Sequence, residues 1–302
     1  MFTSPHFTIE SQYPITKIEF HHRDGQLLAG GLMNGQVALW DMRTSSTNVG
    51  ISDIRNGHRD PVLSLKWIQS KTNSEFLTGS SDGQIMWWDI RNLKEPTDTV
   101  LLDLSQSDVD DTPEWIHWGR SHAVACIDYH FSIPIRFMIG TKSGYVFDGN
   151  RKGKTVLEKI PTTYKCHYGQ VYSVHRNPAF LKNFLTIGDW QAKIWAEETK
   201  ESQIMWTKNY DIRLTDGQWS NSKPSVFYTT RSDGFMDCWD VLQHQTKPIL
   251  SIKVSDNRLN CIKCHEDGAL IAVGDECGKA RVIEMNDWFV TPGPYDRARL
   301  TA

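Results

Sequence analysis

The sequence predicts an all-β chain, a β-propeller of the WD40 type, and two observations carry that prediction. The first is an internal repeat. Gly35-Gln-Val-Ala-Leu-Trp40-Asp41 returns as Gly83-Gln-Ile-Met-Trp-Trp88-Asp89 and as Gly234-Phe-Met-Asp-Cys-Trp239-Asp240, with a degenerate copy in Trp190-Gln-Ala-Lys-Ile-Trp195-Ala196. Self-similarity at a period of about 45 residues, ending on Trp-Asp, is the signature of four-stranded propeller blades. The second is the pattern inside each copy, where short apolar runs alternate with polar and glycine turns. An array that fills the whole chain favours one repeat domain over two unrelated ones.

Taken in order, the tight turns before the third strand of each blade fall at Gly35, Gly83, Gly144, Trp190, Gly234 and Gly278, so that Trp190 replaces a turn glycine. Each follows an apolar run: Leu27-Leu28-Ala29, Phe76-Leu77-Thr78, Phe137-Met138-Ile139, Phe184-Leu185-Thr186, Val226-Phe227-Tyr228 and Leu270-Ile271-Ala272. Polar turns such as His22-Arg-Asp-Gly25 precede those runs, and another strand lies upstream, as in Val62-Leu-Ser-Leu-Lys-Trp67. Strand, turn, strand, glycine turn, strand is the inner part of a blade. Six blades are legible. Blades three and six depart from the pattern, with Gly149-Asn150 and Ile283-Glu284 where Trp-Asp would stand, and blade one carries Asn34 and no opening Gly-His. The reading divides the chain into a segment 1–13, a propeller over 14–286 with an insertion near 104–120, and a tail 287–302. Phe7-Thr-Ile-Glu10 is the candidate outer strand that would close blade six and remove an exposed edge.

Blade two shows why particular residues recur. His58 opens it, Thr78 stands in its middle strand, Asp82 precedes the turn and Trp88 ends the third strand. Blade four repeats the set as His167, Thr186, Asp189 and Trp195. A buried indole N–H needs an acceptor and a buried imidazole needs partners on both nitrogens, so each set is expected to form a hydrogen-bonded chain from Asp through His and Thr to Trp. His58 beside Asp82 also has the composition of a catalytic dyad, but a structural network is the reading preferred here, because satisfied polar networks specify a fold.

Bulk properties narrow the function classes. A formal charge of −3 and a pI near 6.4 supply no basic footprint for nucleic acid or an anionic membrane. No stretch reaches the roughly 18 apolar residues of a membrane span, and Met1-Phe-Thr-Ser-Pro-His-Phe lacks the regions of a signal peptide. Six cysteines spread over a large domain fit reduced thiols better than disulfides, so an intracellular protein is expected.

Three motif matches fail on geometry or context. Cys261-Ile-Lys-Cys264-His265 reads as a haem attachment pattern, but an odd separation within a strand points the two sulfurs to opposite faces. The same parity argues against Cys261, Cys264, His265 and Cys277 as a zinc site, which needs clustered ligands. Gly149-Asn-Arg-Lys-Gly153-Lys154-Thr155 is one residue short of a phosphate loop, and Val156 onward reads as a poor helix start, so a solvated turn is expected. Neither a catalytic residue, nor a metal ligand, nor a cofactor site is assigned. Within the insertion, Ser105-Gln-Ser-Asp-Val-Asp-Asp111 precedes Trp115 and Trp118. Exposed tryptophans make good interface anchors, so Trp115, Trp118 and Trp190 are the partner-binding candidates; packing back onto the blade is the competing reading for the first two.

Several segments resemble axonemal dynein intermediate chains, and most nearly the outer-arm intermediate chain 2 lineage. They are Ser81-Asp-Gly-Gln-Ile-Met-Trp-Trp-Asp-Ile-Arg-Asn-Leu93, Asn183-Phe-Leu-Thr-Ile-Gly-Asp-Trp190 with Lys193-Ile-Trp195, Glu201-Ser-Gln-Ile-Met-Trp-Thr-Lys208, and Thr229-Thr-Arg-Ser-Asp-Gly234 with Asp237-Cys-Trp-Asp240. The Gly-Asp-Trp turn departs from the general WD pattern and resembles what this lineage carries. The resemblance runs from about residue 14 to residue 285. It implies a non-catalytic scaffold subunit that grips the tail of a dynein heavy chain, pairs with a second intermediate chain and supports arm assembly in the axoneme of cilia and flagella. Light chains and cytoplasmic assembly chaperones are further partners it implies. Family propellers carry seven blades and an N-terminal extension for light chains, against six blades read here, which leaves a shortened form and a true six-bladed form as alternatives. Repeat pattern alone would equally suit a WD-repeat adaptor outside motors, such as a substrate receptor or trafficking subunit. An enzyme would need an activated nucleophile, paired carboxylates or a metal cluster, and no such spacing occurs.

Overall fold

The computed structural model describes residues 7–44, 46–70, 72–103, 114–130 and 132–301, with the side chains of 114 and 115 outside that set. Six antiparallel sheets follow one another along the chain, each a meander in sequence order. Blade one comprises Ile15–Phe20, Leu27–Leu32, Val37–Asp41 and Gly50–Ile51. Blade two comprises Val62–Trp67, Glu75–Ser80, Gln84–Asp89 and Asp98–Leu101, and blade three Val124–Tyr129, Arg136–Thr141, Tyr145–Asn150 and Thr162–Lys165. Blade four runs Val171–Arg176, Asn183–Gly188, Gln191–Ala196 and Met205–Trp206, and blade five Leu214–Trp219, Val226–Arg231, Phe235–Asp240 and Leu250–Lys253. Blade six has three strands, Leu259–Cys264, Leu270–Asp275 and Ala280–Glu284. The fold is therefore the six-bladed WD40 type that the repeats predict.

The chain divides into two compact units, Met1–Lys142 with Phe147–Thr162, and Ser143–Val146 with Thr163–Ala302. In the first, Ala29, Val37 and Leu39 of blade one pack against Val62, Leu65 and Trp67 of blade two. In the second, Val226, Tyr228 and Cys238 of blade five pack against Leu259, Ile262 and Cys264 of blade six. Burial of two sheet faces against each other is the main apolar gain in both. The glycine turns tie one blade to the opening residue of the next. Gly35 O accepts from His58 N–H at 3.1 Å, Gly144 O from His167 N–H at 3.0 Å, and Gly234 O from Ser255 N–H at 3.1 Å.

Three expectations need correction. Phe7–Glu10 does not complete blade six but lies on blade one, where Glu10 N–H donates to Ser46 O, Glu10 O accepts from Trp40 Nε1–H at 3.2 Å, and Ile9 packs beside Trp40. The reason is local. Leu28 pairs with Trp40, so Gly30 stands where blade two has Thr78; the Trp40 ring fills that space, and its N–H must find an acceptor outside the blade. In blade four the left-handed residue is Asp189 (φ 51°), not Trp190, because only two residues separate Gly188 from Gln191; Asp tolerates that conformation better than an aromatic residue. Finally, a single helical turn, Val156–Lys159, forms after Gly149–Thr155. Thr155 Oγ1 caps the turn by accepting from Glu158 N–H, as the Thr-x-x-Glu spacing encodes, and the Glu158 carboxylate reaches one residue further back to accept from Lys154 N–H. The acidic stretch 105–111 lies outside the described residues. The tail begins with two short helices, Asp287–Val290 and Asp296–Thr301, and Phe289 of the first is buried against blade six.

Candidate functional site

In blade two Thr78 links the Trp88 indole to the His58 ring, and all three side chains are buried. Trp88 Nε1–H donates to Thr78 Oγ1 at 2.8 Å, and Thr78 Oγ1 lies 2.7 Å from His58 Nε2. His58 Nδ1 faces Asp82 at 3.5 Å, an electrostatic contact longer than a well-formed hydrogen bond. With Nδ1–H turned to the carboxylate, Nε2 is the acceptor of the Thr78 hydroxyl proton. Asp82 also accepts from Arg59 N–H and Gln84 N–H, which clamps the turn to the loop that opens the blade. Burial pushes the Asp82 carboxyl up, but the His58 side chain and these two N–H groups outweigh it and hold the group below its ordinary range.

Blade four reproduces the arrangement with a shorter turn. His167 Nε2 lies 2.9 Å from Thr186 Oγ1, which accepts from Trp195 Nε1–H at 3.1 Å, and His167 Nδ1 is 3.4 Å from Asp189. Asp189 accepts from Tyr168 N–H and Gly169 N–H, so the two-residue turn still anchors the opening loop. Burial, and then the nearby Lys193 charge, push His167 down to about 4. Both histidine side chains are sealed from solvent.

Other blades keep parts of the network. In blade five Thr229 Oγ1 accepts from Trp239 Nε1–H at 3.2 Å. In blade six Asp275 replaces the histidine chain: it accepts from Ser255 Oγ and from the N–H groups of Cys277 and Lys279, and pairs with Arg281 at 2.8 Å. The Arg281 guanidinium and these bonds hold the Asp275 carboxyl down to about 2. Sequence reading missed this node, and also the buried Asp103–His117 pair at 2.7 Å, which joins the residue just before the insertion to one within it and carries no repeat spacing.

The partner-binding candidates separate. Trp115 lies in the helix Glu114–Arg120, and its side chain is outside the described set. Trp118 is half-buried, with the Arg59 guanidinium 3.9 Å from its ring centroid, a packed cation–π contact back onto blade two. Trp190 is about half exposed at the blade-four turn, beside the fully exposed Tyr168 that Asp189 positions. Cys261 is exposed while Cys264 is buried in the blade-six core, and no group of three or more His, Cys, Asp or Glu side chains among the described residues is placed to hold a metal.

Four-stranded meanders, glycine-turn anchors and Asp–His–Thr–Trp chains define a WD40 β-propeller protein. A WD-domain repeat model matches residues 51–89, and a model described as the WD40 domain of dynein axonemal intermediate chain 3 matches residues 124–285. The human protein named dynein axonemal intermediate chain 2 is 42% identical over 93% of this chain and 45% of its own length. The sea urchin Heliocidaris crassispina protein named dynein intermediate chain 3, ciliary, is 42% identical over 99% of this chain and 49% of its own. The Chlamydomonas reinhardtii 70 kDa intermediate chain of the flagellar outer arm is 33% identical over 99% of this chain and 51% of its own. The chain belongs to the axonemal dynein intermediate chain family and spans about half the length of these relatives. A chain of a solved mitotic checkpoint complex superimposes with a TM-score of 0.72 over 92% of this chain and 76% of its own, at 18% identity, which shows the shared fold alone.

Proposed function

We propose that this chain is a non-catalytic WD-repeat subunit of an axonemal dynein, holding the heavy-chain tail and supporting assembly of the arm in cilia or flagella. The observation that carries the reading is 42% identity to ciliary and axonemal intermediate chains over nearly the whole chain. The sealed histidines and the many buried aromatic side chains fit a rigid scaffold, whose affinity comes from shape and from many contacts rather than from chemistry. A second intermediate chain is the expected companion, with light chains and assembly chaperones further partners. Trp190 and Tyr168 are two of the exposed aromatic side chains, and partner contact is assigned to them. The axoneme is the proposed place of action, with assembly in the cytoplasm; no helix among the described residues is long and apolar enough to cross a membrane.

Deleting the gene in a ciliated cell tests the reading. Cross-sections of axonemes are expected to lack dynein arms, with beating slowed or abolished, and re-expression of the chain restores both. Intact arms with normal beating in the deletion strain would refute it.

A further inference from the structure

The turn 188–191 of blade four departs from its counterparts in conformation, exposure and charge. The corresponding turns of the other blades place Gly35, Gly83, Gly144, Gly234 and Gly278 at positive φ, whereas blade four places Asp189 there, at φ 51°. A left-handed residue other than glycine is strained, and such strain collects at functional sites. Two consequences follow from the substitution. The shortened turn sets Trp190 at the end of the sheet, 48% exposed. The Asp189 carboxylate accepts from Tyr168 N–H at 3.0 Å and so fixes Tyr168, 92% exposed, beside the same turn. Trp190 O then accepts from Tyr210 N–H at 3.1 Å, which leads the segment 208–213, with the exposed Ile212, past the turn. All these residues belong to the second unit. They stand on the end of the sheets, not on a face that a neighbouring blade covers.

The charge around these aromatic side chains has one sign in excess. Lys165 and Lys208 hold equivalent places, two residues before His167 and Tyr210, whose N–H groups donate to Gly144 O and Trp190 O. Both lysines are exposed, and neither makes an ion pair among the described residues. Arg213 is exposed as well, with its guanidinium 5.7 Å from the Tyr172 ring centroid. Lys193, whose Nζ donates to Cys166 O at 2.7 Å, offsets the Asp189 charge. Asp211 is the remaining carboxylate of the segment. Lys165, Lys193, Lys208 and Arg213 thus outnumber Asp189 and Asp211, on a chain whose net charge is −3. We propose that this rim of blades four and five takes an acidic segment of a partner protein, rich in glutamate or aspartate. An apolar side chain of that segment rests on Trp190 and Tyr168, and its carboxylates face Lys165, Lys208 and Arg213. This rests on the scaffold reading, which assigns partner contact to the same two aromatic side chains; the sign of the partner's charge is what the rim adds.

Fluorescence anisotropy with two labelled peptides is the test. One is glutamate-rich with a central phenylalanine, and the other carries lysine in place of every glutamate. The full wild-type chain is expected to bind the glutamate peptide in the micromolar range at low salt and roughly tenfold more weakly at about 1 M salt, where exposed charges are screened. The lysine peptide should not bind. Trp190→Ala, at an exposed position, should weaken binding of the glutamate peptide roughly tenfold. Combined Lys165→Glu, Lys208→Glu and Arg213→Glu should turn the preference over to the lysine peptide, with wild-type circular dichroism and melting showing that the fold is kept. Lys200→Glu, in the exposed hairpin at the other end of blade four, should change nothing. A wild-type chain that binds neither peptide, or both alike, overturns the proposal, as does a triple variant that still prefers the glutamate peptide. None of these outcomes touches the motor-subunit reading, which the arms of the deletion strain decide.

Discussion

Thr78→Val removes one hydroxyl from the centre of the blade-two network while keeping the side-chain shape. Thr78 is fully buried, its Oγ1 takes the Trp88 indole N–H at 2.8 Å, and it stands 2.7 Å from His58 Nε2. Valine fits the strand as well as threonine does, so no cavity term arises and the cost is polar. Two buried groups lose their partner. At about 1–3 kcal/mol for each unsatisfied group, the loss is about 2–6 kcal/mol. Urea titration followed by far-UV circular dichroism reads it as a lower midpoint at unchanged slope. A double-mutant cycle with Trp88→Phe, which deletes the N–H, isolates the bond: Trp88→Phe should cost about 1–3 kcal/mol less in the Thr78→Val background than in wild type. A Thr78→Val loss below about 0.5 kcal/mol, or an additive cycle, would show that the network is not the stabilising element argued for.

Other outcomes follow from the same geometry. Trp88→Ala, which empties a fully buried indole site, should cost about 3–5 kcal/mol in the same titration. His167 is held down to about 4 when folded, against an ordinary imidazole value of about 6.5, so the unfolded chain takes up a proton that the folded chain refuses. Stability is then complete above about pH 6.5 and falls by of order 3 kcal/mol toward pH 4, and His167→Gln should flatten that slope in melts across the range. Gly234→Ala and Gly278→Ala form a matched pair: both residues have positive φ, but a Cβ at Gly234 would stand 1.8 Å from Ser255 O, whereas one at Gly278 meets nothing within 4 Å. Gly278→Ala should lose about 1–2 kcal/mol from backbone strain alone, and Gly234→Ala clearly more, as compared by chemical denaturation.

The repeat was legible because each strand-level element leaves a local signal. The five-residue step to Trp88, Trp195 and Trp239, and the Thr two residues beyond each Trp's cross-strand partner, recur at fixed spacing, and the hydrogen bonds lie where that spacing puts them. Features that depend on which residue pays the local steric or polar cost were not legible. The blade-four turn assigned its left-handed conformation to Asp189 because the loop is one residue shorter, and a repeat count anchored on the aromatic residue hides that. Phe7–Glu10 went to blade one because Gly30 in place of a threonine leaves Trp40 without an internal acceptor, a consequence visible only once strand register is known. The Asp103–His117 pair joins residues with no repeat-periodic spacing, and the Asp275 node puts Ser255 where other blades open on histidine, so a pattern keyed to histidine had no handle on either. Among the partner candidates, composition marked three tryptophans alike, whereas Arg59 stacked on Trp118 separates it from the exposed Trp190.

Affinity purification of the tagged chain from the axonemes of ciliated cells, with quantitative mass spectrometry of what is retained, tests the central claim most directly. The account predicts stoichiometric recovery of an axonemal dynein heavy chain together with a second intermediate chain. Purification that enriches some other complex and no dynein heavy chain would contradict it.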